Sequence, residues 1–297
     1  MAGIVEGRVV IVTGAGGGLG RAHALAFAKE GAKVVVNDLG GAEGPAGKVA
    51  EEIRAMGGEA IAHGANVASW EETEDLVQTA IKTFGDLHVV VNNAGNLRDK
   101  FFVSMTVDDW DAVIAVHLRG HFNISKHAVT YWRARGKEGH PVSGRIINTT
   151  SGAGLNGSLA QANYSAAKAG IATLTLVQAA ELGRIGVTAN AIAPIARTPM
   201  TEVLFAETMK KPEEEDAFDA FAPDNVSPLV VWLGSEEGGE VTGRVFEAEG
   251  DWFAPADGWR TGPKITNDGK RFKPEEIGPK MREILGKVDA LQKVYGT

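Results

Sequence analysis

The chain has 297 residues, 44% hydrophobic and 23% charged, enough to bury the core of one large α/β domain. Its net charge of −8 argues against nonspecific nucleic-acid binding, which needs clustered Lys and Arg. The lack of cysteine excludes disulfides, thiol catalysis and thiolate metal sites.

The chain starts MAGIVEGRVVIVTG, without the ordered charged and apolar regions of a secretion signal. No apolar run reaches the roughly eighteen residues that span a bilayer. A cytoplasmic protein with no membrane partner is therefore expected. Short β-rich runs follow at 8–13, 33–37, 59–62, 87–92, 144–148, 186–192 and 244–248. Helical patterns lie between them at 18–30, 43–56, 70–84, 107–135, 161–184 and 224–234. Strand–helix alternation with near-continuous apolar strands implies an α/β fold, with a parallel sheet of about seven strands covered on both faces. No linker divides residues 1–250, which are expected to form one domain. Residues 199–222 end in KKPEEEDAFDAFAP and read either as a solvated acidic helix or as a substrate lid. Residues 251–297 carry Trp252, Phe253, Trp259 and Phe272, and read as a C-terminal extension packed on the core or a subunit interface.

Between the first strand and the first helix runs Thr13-Gly-Ala-Gly-Gly-Gly-Leu-Gly20. Gly14, Gly18 and Gly20 allow the backbone to approach a pyrophosphate, and the helix N-terminus at Leu19 supplies amide donors. This context makes the sheet a Rossmann-type, doubly wound one. Asp38 ends the second strand, close to where a carboxylate binds a ribose 2′-hydroxyl. A carboxylate repels a 2′-phosphate and Leu39 offers no cation, so NAD is favoured over NADP.

Further along, Tyr164 and Lys168 lie four apart in QANYSAAK (161–168), so they share a helix face. An ammonium beside a phenol stabilises the phenolate. Such a pair is common by chance on solvated helices, and only its context gives it weight.

That context resembles the short-chain dehydrogenase/reductase family. The residues that carry the likeness are Thr13-Gly14-xxx-Gly18-x-Gly20, Asn92-Asn93-Ala94-Gly95, Ser151, Tyr164-xxx-Lys168 and Pro194, in that order. The segments VVVNDLGG (34–41), NNAGNLRDK (92–100) and VHLRGHF (116–122) look like the branch that oxidises (3R)-hydroxyacyl-CoA. The resemblance implies Tyr164 as acid/base, Lys168 lowering its pKa and holding the nicotinamide ribose, and Ser151 bonding the substrate oxygen. It implies that Asn93 contacts the adenosine ribose, with Ala94 and Gly95 packed against the cofactor. Asn66-Val67 stands where the family has Asp-Val, and its amide oxygen can still accept from adenine. A homodimer or homotetramer is also implied.

Two departures bear on the site. His117 stands where the family has Asn, and either keeps a backbone role in the proton relay, joins it through the imidazole, or merely packs. After Pro194 the chain reads Ile195-Ala196-Arg197-Thr198, one residue short of Pro-Gly-xxx-Thr. Ile195 and Thr198 are expected at the nicotinamide carboxamide or pyrophosphate. The other histidines lack ligand spacing, so no metal is expected. An NAD-dependent 3-hydroxyacyl-CoA dehydrogenase, with a bulky or steroid-derived acyl group as one form of its substrate, is the leading expectation. The alternatives are a dehydrogenase of free hydroxysteroids, a 3-oxoacyl-carrier-protein reductase, and an NADH-sensing binding protein.

Overall fold

A computed structural model describes residues 3–198, 201, 209–214, 217–256, 258–289 and 292–297. Seven runs rich in Val, Ile and Ala form strands: β1 (Val9–Thr13), β2 (Lys33–Asn37), β3 (Glu59–His63), β4 (Val89–Asn92), β5 (Gly144–Thr149), β6 (Val187–Ile195) and β7 (Val245–Glu249). They pair in parallel in the order β3-β2-β1-β4-β5-β6-β7. An eighth strand, β8 (Trp252–Pro255), pairs antiparallel with β7. This is one strand more than expected, and it comes from the start of the expected C-terminal extension. Gly250, at φ 51°, supplies the positive φ of a two-residue reversal between Glu249 and Trp252.

The helices are α1 (Gly18–Lys29), α2 (Pro45–Ala55), α3 (Trp70–Phe84), α4 (Val107–Ile114), α5 (Gly120–Lys137), α6 (Gly152–Asn156), α7 (Ala162–Leu182), α8 (Ser227–Gly234) and α9 (Pro274–Leu285). Phe27, Ile53 and Leu233 bring α1, α2 and α8 onto one face of the sheet. Leu76, Ile124 and Trp132 bring α3 and α5 onto the other, where Ala179 of α7 joins them. Cover on both faces explains why β1 and β4 are buried at every position rather than at alternate ones. Among the described residues no helix is long and apolar enough to cross a membrane.

The strand order turns at β1 and β4: β2 and β3 extend one way, β5 to β8 the other. Strands parted at such a point leave a crevice beyond their C-terminal ends. The β1–α1, β4–α4 and β5–α6 loops therefore meet there.

The helix expected over 107–135 is interrupted. Residues Ala115–Arg119 form a π-turn between α4 and α5, and His117 lies within it. Such wide turns are frequent at functional sites, where they displace a side chain that regular winding would point elsewhere.

Of the stretch expected as a lid, 199–200, 202–208 and 215–216 lie outside the described residues. Arg197 fastens the parts on either side of 215–216. It donates to the Met209 carbonyl at 2.8 Å and pairs with Asp219, and its amide donates to the Phe221 carbonyl at 2.7 Å. The C-terminal residues return to the surface of the sheet-and-helix domain: Leu159 N donates to Tyr295 O at 3.0 Å, and Tyr295 N to Gly157 O at 3.1 Å. The end of the chain thus lies on the loop that follows α6.

Candidate active site

At the first turn, Gly14 and Gly18 have φ of 60° and 51°, a region costly for other residues. A Cβ on Gly20 would lie 2.2 Å from the Gly14 carbonyl oxygen, so Gly20 shapes the turn from behind and does not line the crevice. At Gly17, the residue capping α1, a Cβ would meet no atom within 4 Å, because that position faces the open crevice. Asp38 reaches this turn: its carboxylate accepts from Gly16 N at 2.9 Å and from Leu39 N at 2.8 Å. Each oxygen has further acceptor capacity toward the crevice.

Asn93, expected at a ribose, is tied into the same turn. Its amide nitrogen donates to Thr13 O at 2.9 Å, and its backbone N to Thr13 Oγ1 at 3.0 Å. The oxygen of Asn66 already accepts from Ala68 N at 3.0 Å, leaving one lone pair for an adenine. Asn66, Val67, Asp38, Leu19, Asn93, Ala94 and Gly95 all line a cavity of about 500 Å³.

At its other end the same cavity is lined by Ser151, Tyr164, Lys168 and His117. Ser151 leaves β5 and caps α6, its Oγ accepting from Ala153 N at 3.2 Å. Tyr164 and Lys168 stand one turn apart on α7, with Lys168 Nζ 5.5 Å from the phenol ring centroid. Nζ also donates to Thr149 O at 2.7 Å, which fixes the long side chain. Burial pushes the Lys168 pKa down to about 7. Burial also raises the Tyr164 pKa, although a hydrogen bond with Ser151 pulls it down and the charge of Asp99 pushes it up again. In the chain alone, desolvation therefore outweighs the lowering implied by the resemblance.

His117 is buried, with its ring edge-on to Tyr164 at 5.2 Å between centroids. Its Nε2 donates to the Asn96 carbonyl at 2.8 Å, and burial lowers its pKa to about 3. A Cβ on Gly95 would lie 2.4 Å from the imidazole Cε1, so that glycine makes room for the ring. A neutral imidazole engaged with backbone holds the Asn96 loop and does not titrate near pH 7. Asn, which the resemblance puts at this position in the family, is likewise neutral. His117→Asn is expected to keep turnover within about threefold of the parent in a steady-state assay. Loss as severe as that of a Tyr164 variant would show that the imidazole itself is required.

At the end of β6 and just past it, Pro194 and Thr198 line the cavity, while Ile195 does not; Ala196 takes its place in the wall, with Thr201 beside it. The sequence reading passed over Thr149, Asp99, Gln161 and Asn163. All four act on the turn before Tyr164 or on Lys168: Gln161 and Asn163 lie inside QANYSAAK, whereas Asp99 and Thr149 are distant in the chain and carry no sequence signal for this role. Among the described residues no group of three or more His, Asp or Glu is arranged to hold a metal.

The sequence model of the family described as short chain dehydrogenase matches residues 8–208. The chain belongs to the short-chain dehydrogenase family. It is therefore an oxidoreductase of a family that works with NAD or NADP. This short-chain dehydrogenase is similar to the hydroxyacyl-CoA dehydrogenase ChsB1 of Mycobacterium tuberculosis, 42% identical over 99% of this chain and 93% of that one. It is 43% identical to peroxisomal multifunctional enzyme type 2 of the mouse, over 94% of this chain but only 37% of that one. A solved short chain dehydrogenase from Mycobacterium avium superposes with a TM-score of 0.90 at 56% identity, covering 99% of this chain and 100% of that chain.

Proposed function

We propose that this short-chain dehydrogenase uses NAD to interconvert a 3-hydroxyacyl-CoA and its 3-oxoacyl-CoA. The observation that carries the reading is one cavity with Asp38 at one end and Ser151, Tyr164 and Lys168 at the other. Similarity to ChsB1 over nearly the whole of both chains supports the thioester class. Its cavity suits an extended dinucleotide: glycines Gly14, Gly17 and Gly18 leave the wall bare where a pyrophosphate would lie. The amides at Gly18 and Leu19 would hold the pyrophosphate, Asp38 the adenosine ribose, and Asn66 and Val67 the adenine. Asn93, Ala94 and Gly95 would form the floor, with Pro194, Ala196 and Thr198 at the nicotinamide end. NAD, when bound, supplies the hydride acceptor.

In oxidation Ser151 orients the substrate hydroxyl. The Tyr164 oxygen takes the hydroxyl proton as the carbinol hydrogen leaves as hydride. The proton then passes to solvent, and the phenolate is restored. Lys168 would bind the nicotinamide ribose and favour the phenolate. Because burial raises Tyr164 in the chain alone, the cationic nicotinamide ring must supply part of the opposite shift. The phenolate would then be most populated when cofactor is present.

The test is NADH formation from NAD with (3R)- and (3S)-3-hydroxybutyryl-CoA, a longer 3-hydroxyacyl-CoA and a free steroid alcohol, each repeated with NADP. NAD-linked turnover of a thioester is expected. Turnover of the free alcohol alone would move the enzyme to the hydroxysteroid class, and NADH binding without any turnover would sink the enzymatic reading. For the cofactor, Asp38→Ser should raise KM for NAD about tenfold and narrow its preference over NADP, since it removes both the ribose acceptor and the charge facing a 2′-phosphate. An unchanged NAD/NADP ratio of kcat/KM would count against that role. Exposed Leu176 and Val177 on α7 and Phe122 on α5 support a homodimer or homotetramer, which light scattering would test. We keep the cytoplasm as the compartment.

A further inference from the structure

The turn that launches α7 is held from outside. Ala160 sits at φ 60°, unusual for a residue with a side chain. Gln161, the residue capping α7, makes no side-chain cap to the helix. Its amide instead donates to Asp99 Oδ2 at 2.9 Å. On either side of Asp99, Lys100 N donates to Ala160 O at 2.8 Å, and Arg98 O accepts from Asn163 Nδ2 at 3.0 Å. The oxygen of Asn163 accepts from the backbone N of Tyr164 itself at 2.8 Å. Residues 98–100 therefore grip residues 160–163 at three points, immediately before Tyr164. The other oxygen of Asp99, Oδ1, is buried with no hydrogen-bond partner. An orphaned buried acceptor is costly and calls for a reason.

We propose that Asp99 is a positioning residue for Tyr164, holding through Gln161 the turn from which the reacting phenol is presented. It rests on Tyr164 being the acid/base of the proposed reaction. The carboxylate also places a negative charge near the phenol, which raises it further, behind desolvation as the larger cause. Other groups face Tyr164 as well. Lys168 lies on its own helix, the His117 ring comes from the π-turn, and the Ser151 hydroxyl from the end of β5. The Asp109 carboxylate of α4 is turned to its own cap at Thr106, and Arg98 and Lys100 are exposed. Among the groups acting on the phenol, Asp99 carries the negative charge.

The test uses the full chain with NAD and the 3-hydroxyacyl-CoA that turns over best in the substrate comparison, reading kcat, KM for NAD and the pH profile of kcat. Oxidation needs the phenolate, so kcat rises with pH through the Tyr164 pKa. Asp99→Asn keeps an acceptor for Gln161 and removes the charge. It should retain kcat on the plateau and move the acid limb down by about half a pH unit or more. Asp99→Ala also removes the grip, and should lower plateau kcat about tenfold with KM for NAD within about twofold. Gln161→Ala should match it, with little added loss in the double variant. An acid limb of Asp99→Asn that stays in place overturns the proposal, as does an Asp99→Ala kcat within twofold of the parent. Should Asp99→Ala not fold, Gln161→Ala, which removes the same grip and leaves the carboxylate in place, decides instead. Tyr164→Phe run alongside separates the two readings. If it is active, the acid/base assignment fails. If it is dead while the Asp99 variants behave as the parent, only the present proposal fails.

Discussion

Tyr164→Phe is expected to lower kcat by about 10³-fold, the range of an acid/base group lost from a transition state. Phe keeps the ring that packs edge-on against His117, so the fold and the crevice survive. NADH affinity, read by fluorescence, should stay within about threefold, because most of the residues proposed to hold the dinucleotide line the Asp38 end of the cavity. The loss should fall on kcat and kcat/KM alike, as for an interaction made only in the transition state. Equal loss of NADH binding would mean that the residue is structural. Retained turnover would remove the basis of the proposed mechanism, since the nearby imidazole of His117 is held neutral and bonded to backbone.

The second large effect concerns stability in acid. Three histidines are buried and neutral. Desolvation lowers His23 and His117 to about 3, and holds His121 well below its ordinary range, helped by the charge of Lys168. In the unfolded chain each imidazole takes up a proton below about 6.5. The unfolded state therefore binds more protons between about pH 6.5 and 3, and stability falls as pH falls through that window. For three such groups the loss between pH 7 and pH 5 is on the order of 5 kcal/mol, comparable with the whole stability of many domains. Urea midpoints at the two pH values would measure it. A His23→Gln variant, with the Ser227 hydroxyl 2.9 Å from the present ring, should remove about a third of the slope. Equal midpoints at pH 7 and pH 5 would show that these imidazoles are protonated in the folded state. Lys168 acts with the same sign at higher pH: lowered to about 7 by burial, it makes stability rise between about pH 7 and 10.5.

These effects differ in how far they could be foreseen. The sequence alone determined the sheet and its order of elements. Runs of Val and Ile bounded by Gly and Asn state strand identity locally, and β1 to β7 lie within about three residues of their expected ends. It also determined which residues meet at the crevice, because Gly14, Asp38, Asn93, Ser151 and Pro194 stand at or just beyond strand ends, where a parallel sheet must gather them. Tyr164 and Lys168 needed only helical periodicity.

The tertiary structure decided what depends on contacts between distant segments. The π-turn at His117 has no marker in AVHLR, since regular and widened turns suit the same residues. β8 exists because β7 offers an unpaired edge for the chain to fold back on. Asp99 reads as an ordinary loop carboxylate until 98–100 and 160–163, some sixty residues apart, are brought together. Above all, charge states followed burial. The spacing of Tyr164 and Lys168 suggested a lowered phenol pKa, yet enclosure by neighbouring segments raises the phenol and lowers the ammonium. Spacing along a helix decides which groups are neighbours, but their protonation depends on how much water the rest of the fold excludes.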